Sequence, residues 1–282
     1  MSIKYYVSLS KPGIIFGNLV ALIGGYFLGM KGGFNSTTFW GSIFGISLII
    51  GCAGVLNNIL DRDIDQLMER TQNRVLVKGI IDIRSAFVFG LFLGIIGVAI
   101  LALTTNLLTV LLALAGLFIY LVIYTILLKR NSIHATLIGG LSGAVPPAVG
   151  YCATTNSFDL AALLLVLALC FWQMPHAYAI GIFRSNDFKK AKLPLFPLIK
   201  GAKHSKLAML VYAILFFVVS MLFPILSYTG ALFTYLVGTA CSAWILFIVL
   251  GFKAKQDEVW ARKVFLSSIL VITIFSLAFI KT

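Results

Sequence analysis

Acidic residues are scarce in this chain, nine among 282 against 22 Lys and Arg. Charged side chains of both signs make up only 11%, and the mean hydropathy is +1.04. So little charge excludes a water-soluble protein, because a chain of this length could not bury so much apolar surface in one core. Cys52, Cys152, Cys170 and Cys241 stand singly in or beside apolar runs, with no Cys-x-x-Cys pair. Redox or thiolate-metal chemistry is therefore not expected. Low-complexity and linker segments are missing as well, so residues 1–282 read as a single domain. The first residues carry neither a small-residue cleavage site nor an Arg- and Ser-rich transit pattern. That favours a bacterial inner membrane over an organelle.

What the chain does have is long apolar runs. About nine are near the ~20 residues that a helix needs to cross a bilayer. They fall at 14–30, 39–58, 86–104, 107–127, 133–152, 158–182, 205–224, 229–252 and 263–280. The expected fold class is all-α, a polytopic membrane helical bundle of about nine transmembrane helices within the lipid bilayer. The net charge of +13 does not point to nucleic acid, because the bases collect in alternate loops. Twenty of the 22 lie at the N-terminus, in 59–84, at 129–130, in 183–206 and in 252–263, leaving Lys31 and Lys281 on the other side. By the positive-inside rule the N-terminus is cytoplasmic and the C-terminus external, which an odd number of spans requires.

Three of the seven aspartates sit within five residues, in Asn57-Asn58-Ile59-Leu60-Asp61-Arg62-Asp63-Ile64-Asp65. On a helix Asn57, Asp61 and Asp65 share one face with about 6 Å between levels. Carboxylates at that spacing repel each other. They are also costly at a membrane helix end unless they hold a cation or pair with bases. A solvated loop with internal ion pairs is one reading. The other is a Mg²⁺ site, since Mg²⁺ takes hard oxygen ligands and keeps substrate phosphates in its shell. Arg70 and Arg74 follow closely and suit bidentate contact with diphosphate oxygens. Asn58 is grouped with them, whereas Asp63 falls off the face as a surface charge or a partner for Arg62.

Other constellations are less specific. Tyr124 precedes Lys129 and Arg130, which serve either as topology anchors or as cations that stabilise a leaving group. Pro175 and His176 interrupt an apolar span after Trp172. Pro175 frees a carbonyl and bends the helix, and a histidine at that depth faces either a partner helix or a substrate. Arg184 and Lys190 flank Asp187, the only carboxylate among the seven bases of the 183–206 loop. Asp187 is a second candidate metal ligand or a plain salt-bridge partner. Gly139 to Pro147 and Gly24-Gly25 read as close helix packing.

Taken together, Leu9 to Ile15, Asn57 to Asp65, Met68 to Arg74, Lys129-Arg130, Gly143 to Pro147, Trp172-Gln173-Met174-Pro175-His176 and Asp187 to Pro197 resemble the UbiA superfamily of intramembrane prenyltransferases. The Trp172 to His176 run resembles the haem-modifying branch. The superfamily's second Asp-rich motif is here reduced to Asp187, as in that branch. The resemblance implies transfer of a farnesyl group from farnesyl diphosphate to the vinyl group of haem B, with addition of water. It implies Mg²⁺ on Asp61 and Asp65, with Asn57 and Asp187. The catalytic set is then Asp61, Asp65, Lys129, Arg130 and His176, and substrate is bound by Asn57, Asn58, Arg70, Arg74, Tyr124, Trp172, Arg184 and Lys190. His176 could meet the haem iron, a propionate or diphosphate. The product would pass to haem A synthase or haem-copper oxidase assembly. Two rivals remain, a relative acting on an aromatic acid or quinone precursor and an ion-coupled transporter.

Overall fold

The computed structural model describes residues 3–30 and 32–281, and among these there is no β-strand. Lys31, counted above as an external charge, lies outside the described residues. A short helix α1 (Ile3–Leu9) precedes α2 (Pro12–Gly29), α3 (Ser36–Leu60), the single turn α4 (Arg62–Asp65) and α5 (Ile83–Thr104). Helix α6 (Leu107–Phe118) continues without interruption into a π-helical stretch, Ile119–Leu128. Then come α7 (Ala135–Gly143), α8 (Val145–Thr155), α9 (Leu160–Phe183), α10 (Ser185–Lys190), α11 (Phe196–Ile225), α12 (Ala231–Leu250) and α13 (Asp257–Ala278). Asn35, Asp82, Asn106 and Asp159 start α3, α5, α6 and α9 by accepting backbone N–H groups of the first turn. These four caps satisfy donors that lipid could not.

Eight helical segments among the described residues are long and apolar enough to span a membrane. The remaining expected span, 133–152, is two short helices, α7 and α8, parted at Ala144. Pro146 and Pro147 lack the N–H groups that would continue the ladder from α7, so a new helix begins there. Helix α9 runs through Pro175 unbroken. Helix α11 starts nine residues before the expected 205 and turns at Gly201, whose φ of 79° is open to glycine. The chain is a polytopic membrane protein. Large apolar side chains such as Phe16, Phe92, Leu103, Phe118 and Leu270 cover its outside, a surface that only lipid solvates well.

The main core joins α9, α11, α12 and α13 around Phe216, Phe223, Phe233, Phe275 and Phe279. On the other side α2 lies directly on α8. A Cβ at Gly25 would stand 1.9 Å from the Pro147 carbonyl oxygen, and one at Gly150 would stand 2.1 Å from that of Leu22. Backbones this close leave no room for any side chain. Gly25→Ala is expected to lower stability by about 1–3 kcal/mol, the usual cost of overpacking. A thermal-unfolding midpoint in detergent equal to wild type would contradict this packing.

Candidate active site

The C-terminal end of α3 carries the acidic pattern across a helix boundary. Asp61 N–H donates to Asn57 O at 2.9 Å and Asp65 N–H to Asp61 O at 2.8 Å. The i→i−4 register therefore survives the break at Asp61, and Asn57, Asp61 and Asp65 stay on one buried face. Asp63 points outward. Its partner is Arg130 and not Arg62, whose Nε donates to Leu76 O at 3.0 Å.

Basic side chains from three other segments close on this face. Lys129 pairs with Asp61 Oδ2, and Arg74 pairs with Asp65 Oδ2. Lys11, just before α2, donates to Asn57 Oδ1 at 2.5 Å. Burial and the Arg74 and Lys129 cations push Lys11 down to about 7, against the opposing pull of Asp61 and Asp65. Arg70 is exposed. Partial desolvation lowers its pKa, as do Arg74 and Arg184, while Asp65 and Asp187 oppose the shift. Four bases thus surround two buried carboxylates, leaving a surplus of positive charge suited to a polyanion.

The two long loops meet here. Glu69 N–H donates to Asp187 Oδ1 at 2.9 Å. Ile64 and Met68 pack on Ala191 and Leu193 beneath that contact. Asp187 is buried, and it clamps the loops with one oxygen. Arg184 is exposed and lies over the Phe183 ring. Lys190 is exposed, and its side chain makes no ion pair among the described residues.

Arg130, expected with Lys129 as a cation for the leaving group, pairs with Asp63 and not with the buried carboxylates. Its guanidinium forks onto Asp63 at 2.6 and 2.7 Å and donates to Leu60 O at 2.9 Å. The fork onto Asp63 holds its carboxyl below the usual range. Arg130 therefore braces the outside of the turn while Lys129 enters the site. An exposed pair of this kind contributes about 0–1 kcal/mol. Asp63→Asn should change turnover and stability little. A drop in kcat of more than about tenfold would move Asp63 and Arg130 into the site.

The π-helical stretch accounts for the Lys129 position. Lys129 N–H donates to Tyr124 O, five residues back, at 2.8 Å. Thr125 Oγ1 donates to Tyr120 O at 2.8 Å and accepts from Asn57 Nδ2 at 3.2 Å. Tyr120 and Tyr124 stack at 5.7 Å, with Lys129 Nζ 5.9 Å from the Tyr124 centroid. Widened turns of this type recur at functional sites.

Deeper in the bundle, His176 Nδ1 contacts Ser268 Oγ at 2.7 Å, and Trp172 Nε1 donates to Ser268 O at 2.9 Å. Gln173 Nε2 donates to Gly140 O at 2.9 Å, tying α9 to α7. Trp172 and His176 thus lie at the α9–α13 contact, away from the acidic face in sequence and on a different helix.

A UbiA prenyltransferase family model matches residues 18–269. The chain belongs to the UbiA prenyltransferase family. A Pseudomonas savastanoi pv. phaseolicola protein named protoheme IX farnesyltransferase is 44% identical over 276 residues, covering 98% of this chain and 94% of that protein. The fold is similar to that of digeranylgeranylglyceryl phosphate synthase, with a TM-score of 0.79, 21% identity and 99% of both chains covered. It is also similar to a UbiA homologue from Archaeoglobus fulgidus bound to GPP and Mg²⁺, with a TM-score of 0.72, 15% identity, and 99% and 100% covered.

In this UbiA family prenyltransferase, two side-chain oxygens at the acidic face are buried without a hydrogen-bond partner, Asp61 Oδ1 and Asn58 Oδ1. Orphaned hard oxygens are costly unless something binds them. A divalent cation suits that donor set. No three His, Cys, Asp or Glu side chains converge among the described residues, so such an ion would draw on amide oxygens, water or substrate to fill its shell. Asn57 Oδ1 accepts from Lys11, whereas Asn58 Oδ1 has no hydrogen-bond partner. Lys11, Tyr120 and Thr125 are the residues that sequence reasoning missed. Lys11 had a signal, a lysine directly before a proline at a span start that lies within the Leu9 to Ile15 resemblance and also reads as a topology charge.

Proposed function

We propose that this prenyltransferase moves a farnesyl group from farnesyl diphosphate to haem B. The observation that carries the reading is the buried, unpartnered Asp61 Oδ1 beside Lys11 and Lys129, with Arg74 and Arg70 at neighbouring Asp65. Such a site fits a metal-bound diphosphate. The curated relative's name supports haem as the acceptor. Asp61 and Asp65, with Asn58, would hold Mg²⁺, with diphosphate and water filling its shell, and Asp187, which accepts from Glu69 N–H, would hold the two loops over the site. Bound there, Mg²⁺ neutralises charge that develops on the leaving diphosphate. Arg74, Lys129, Lys11 and Arg70 are the protein's own cations for the same charge. The allylic C–O bond breaks and its electron pair leaves with diphosphate. A haem vinyl carbon then bonds the farnesyl carbon, water captures the cation on the porphyrin side chain, and a proton is released. The apolar bundle keeps water from the farnesyl cation until then.

The topology belongs to the same reading. It places the acidic site at the cytoplasmic side of a bacterial inner membrane, with the N-terminus cytoplasmic and the C-terminus external, in one domain over 1–282. The site's position at helix ends rather than at the midplane counts against a transporter. Haem A synthase or haem-copper oxidase assembly would take the product.

The test supplies the purified chain in membranes with haem B, farnesyl diphosphate and Mg²⁺, and reads the porphyrin mass. The expected product carries farnesyl plus water and disappears with EDTA. Prenylation of an aromatic acceptor with none on haem would move the chain to another branch. No transfer to any acceptor would overturn the enzyme reading.

A further inference from the structure

We infer that Ser268 holds His176 in one tautomer so that His176 Nε2 ligates the iron of the porphyrin acceptor. This rests on the haem reading above. Ser268 Oγ is 2.6 Å from Phe265 O and 2.7 Å from His176 Nδ1. A carbonyl oxygen cannot donate, and a hydroxyl has one proton. The contact with Phe265 O consumes that proton, so Nδ1 must carry the hydrogen that bridges to Oγ. The lone pair is then on Nε2.

The ring is fixed in that orientation. Trp172 lies 4.9 Å from it and Phe265 lies 4.8 Å, centroid to centroid. A ring flip would set a carbon against Ser268 Oγ and forfeit the bond. Trp172 also donates to Ser268 O at 2.9 Å, which anchors the residue that anchors the histidine. His176 is only partly buried, and Nε2 makes no hydrogen bond and is not among the sealed, unpartnered atoms. It is therefore an open lone pair in an aromatic frame.

A proton acceptor at this position would become an imidazolium, and no carboxylate bonds to it among the described residues. An imidazole that ligates iron stays neutral, which an apolar frame favours. Histidine ligands commonly donate their second ring nitrogen to an oxygen, which fixes tautomer and orientation. Ser268 supplies that oxygen. Eight residues, about 12 Å of helix rise, separate His176 from Arg184 at the cytoplasmic end. The acceptor's iron is thereby set at membrane depth while the diphosphate stays at the surface. Ser268 is a positioning residue for the acceptor.

Purified full-length protein in lipid nanodiscs would be titrated with haem B and read by its Soret and visible bands, without farnesyl diphosphate. Wild type is expected to give an imidazole-ligated spectrum. His176→Ala is expected to lose it and to regain it with added imidazole, which also shows that the variant is folded. Ser268→Ala, a smaller change in shape, should weaken haem binding about 10–100-fold, as for other residues behind a metal ligand. Identical spectra in wild type and His176→Ala, or no effect of Ser268→Ala, would overturn the ligation while leaving haem as acceptor. Failure of wild type both to bind and to prenylate haem would overturn the haem reading itself.

Discussion

Asp61→Asn is expected to reduce prenyl transfer at least about 10³-fold, equivalent to about 4 kcal/mol of transition-state stabilisation, while the protein still inserts and folds. The amide has the shape of the carboxylate, so the α3 packing that buries Asp61 to 1% exposure is kept. What changes is charge. Oδ1 ceases to be an anionic donor for a metal, and Lys129 loses the partner of its ion pair. Lys129 is partly exposed, so its stem can carry the ammonium toward water, which limits the folding cost. Turnover with Mg²⁺ and farnesyl diphosphate, normalised to folded protein, checks the result. Activity within tenfold of wild type would remove the metal site from Asp61.

Lys11→Met is expected to lower kcat/KM for the prenyl diphosphate about 10²-fold, the scale of losing one preorganised charged donor. Methionine keeps an unbranched stem and loses the ammonium. Lys11 sits at φ 54°, ψ 64°, a left-handed conformation that is uncommon for a side-chain-bearing residue and is maintained only when its surroundings require it. Here the surroundings direct Nζ onto Asn57 Oδ1. The haem KM should remain within about twofold, since the charge faces the diphosphate end. An equal loss for both substrates would make Lys11 a structural residue, and no loss would show that Arg74 and Lys129 are enough.

The acidic face was readable because helical periodicity needs only the chain itself. Asn57, Asp61 and Asp65 are four apart, and two backbone hydrogen bonds carry that phase across the end of α3. The spans were readable for the same reason, since hydropathy is local. The split at Ala144 was not visible: residues 133–152 read as one span, and two short helices differ from one long one in backbone bonds that hydropathy does not report. Lys129 and Arg130 were read alike because adjacent bases cannot be told apart by pattern. Which of Lys129 and Arg130 turns inward depends on the helix phase at its end, and the π-helical stretch Ile119–Leu128 resets that phase.

By itself, then, the sequence determined an all-helical membrane bundle, a carboxylate face at a helix end, and membership of a prenyl-transferring family through motifs along the chain. Tertiary structure alone decided which cations meet those carboxylates. Lys11, Arg74 and Lys129 come from three segments that are distant in sequence or lie in irregular turns, and Asp187 joins Glu69 across 118 positions. It also decided that Asn58 rather than Asn57 keeps a free oxygen, and that Ser268 on the last span faces His176. The physical reason is that periodicity follows from backbone geometry within one helix, whereas the neighbours of a buried charge are chosen by how separate helices pack and where their ends stop.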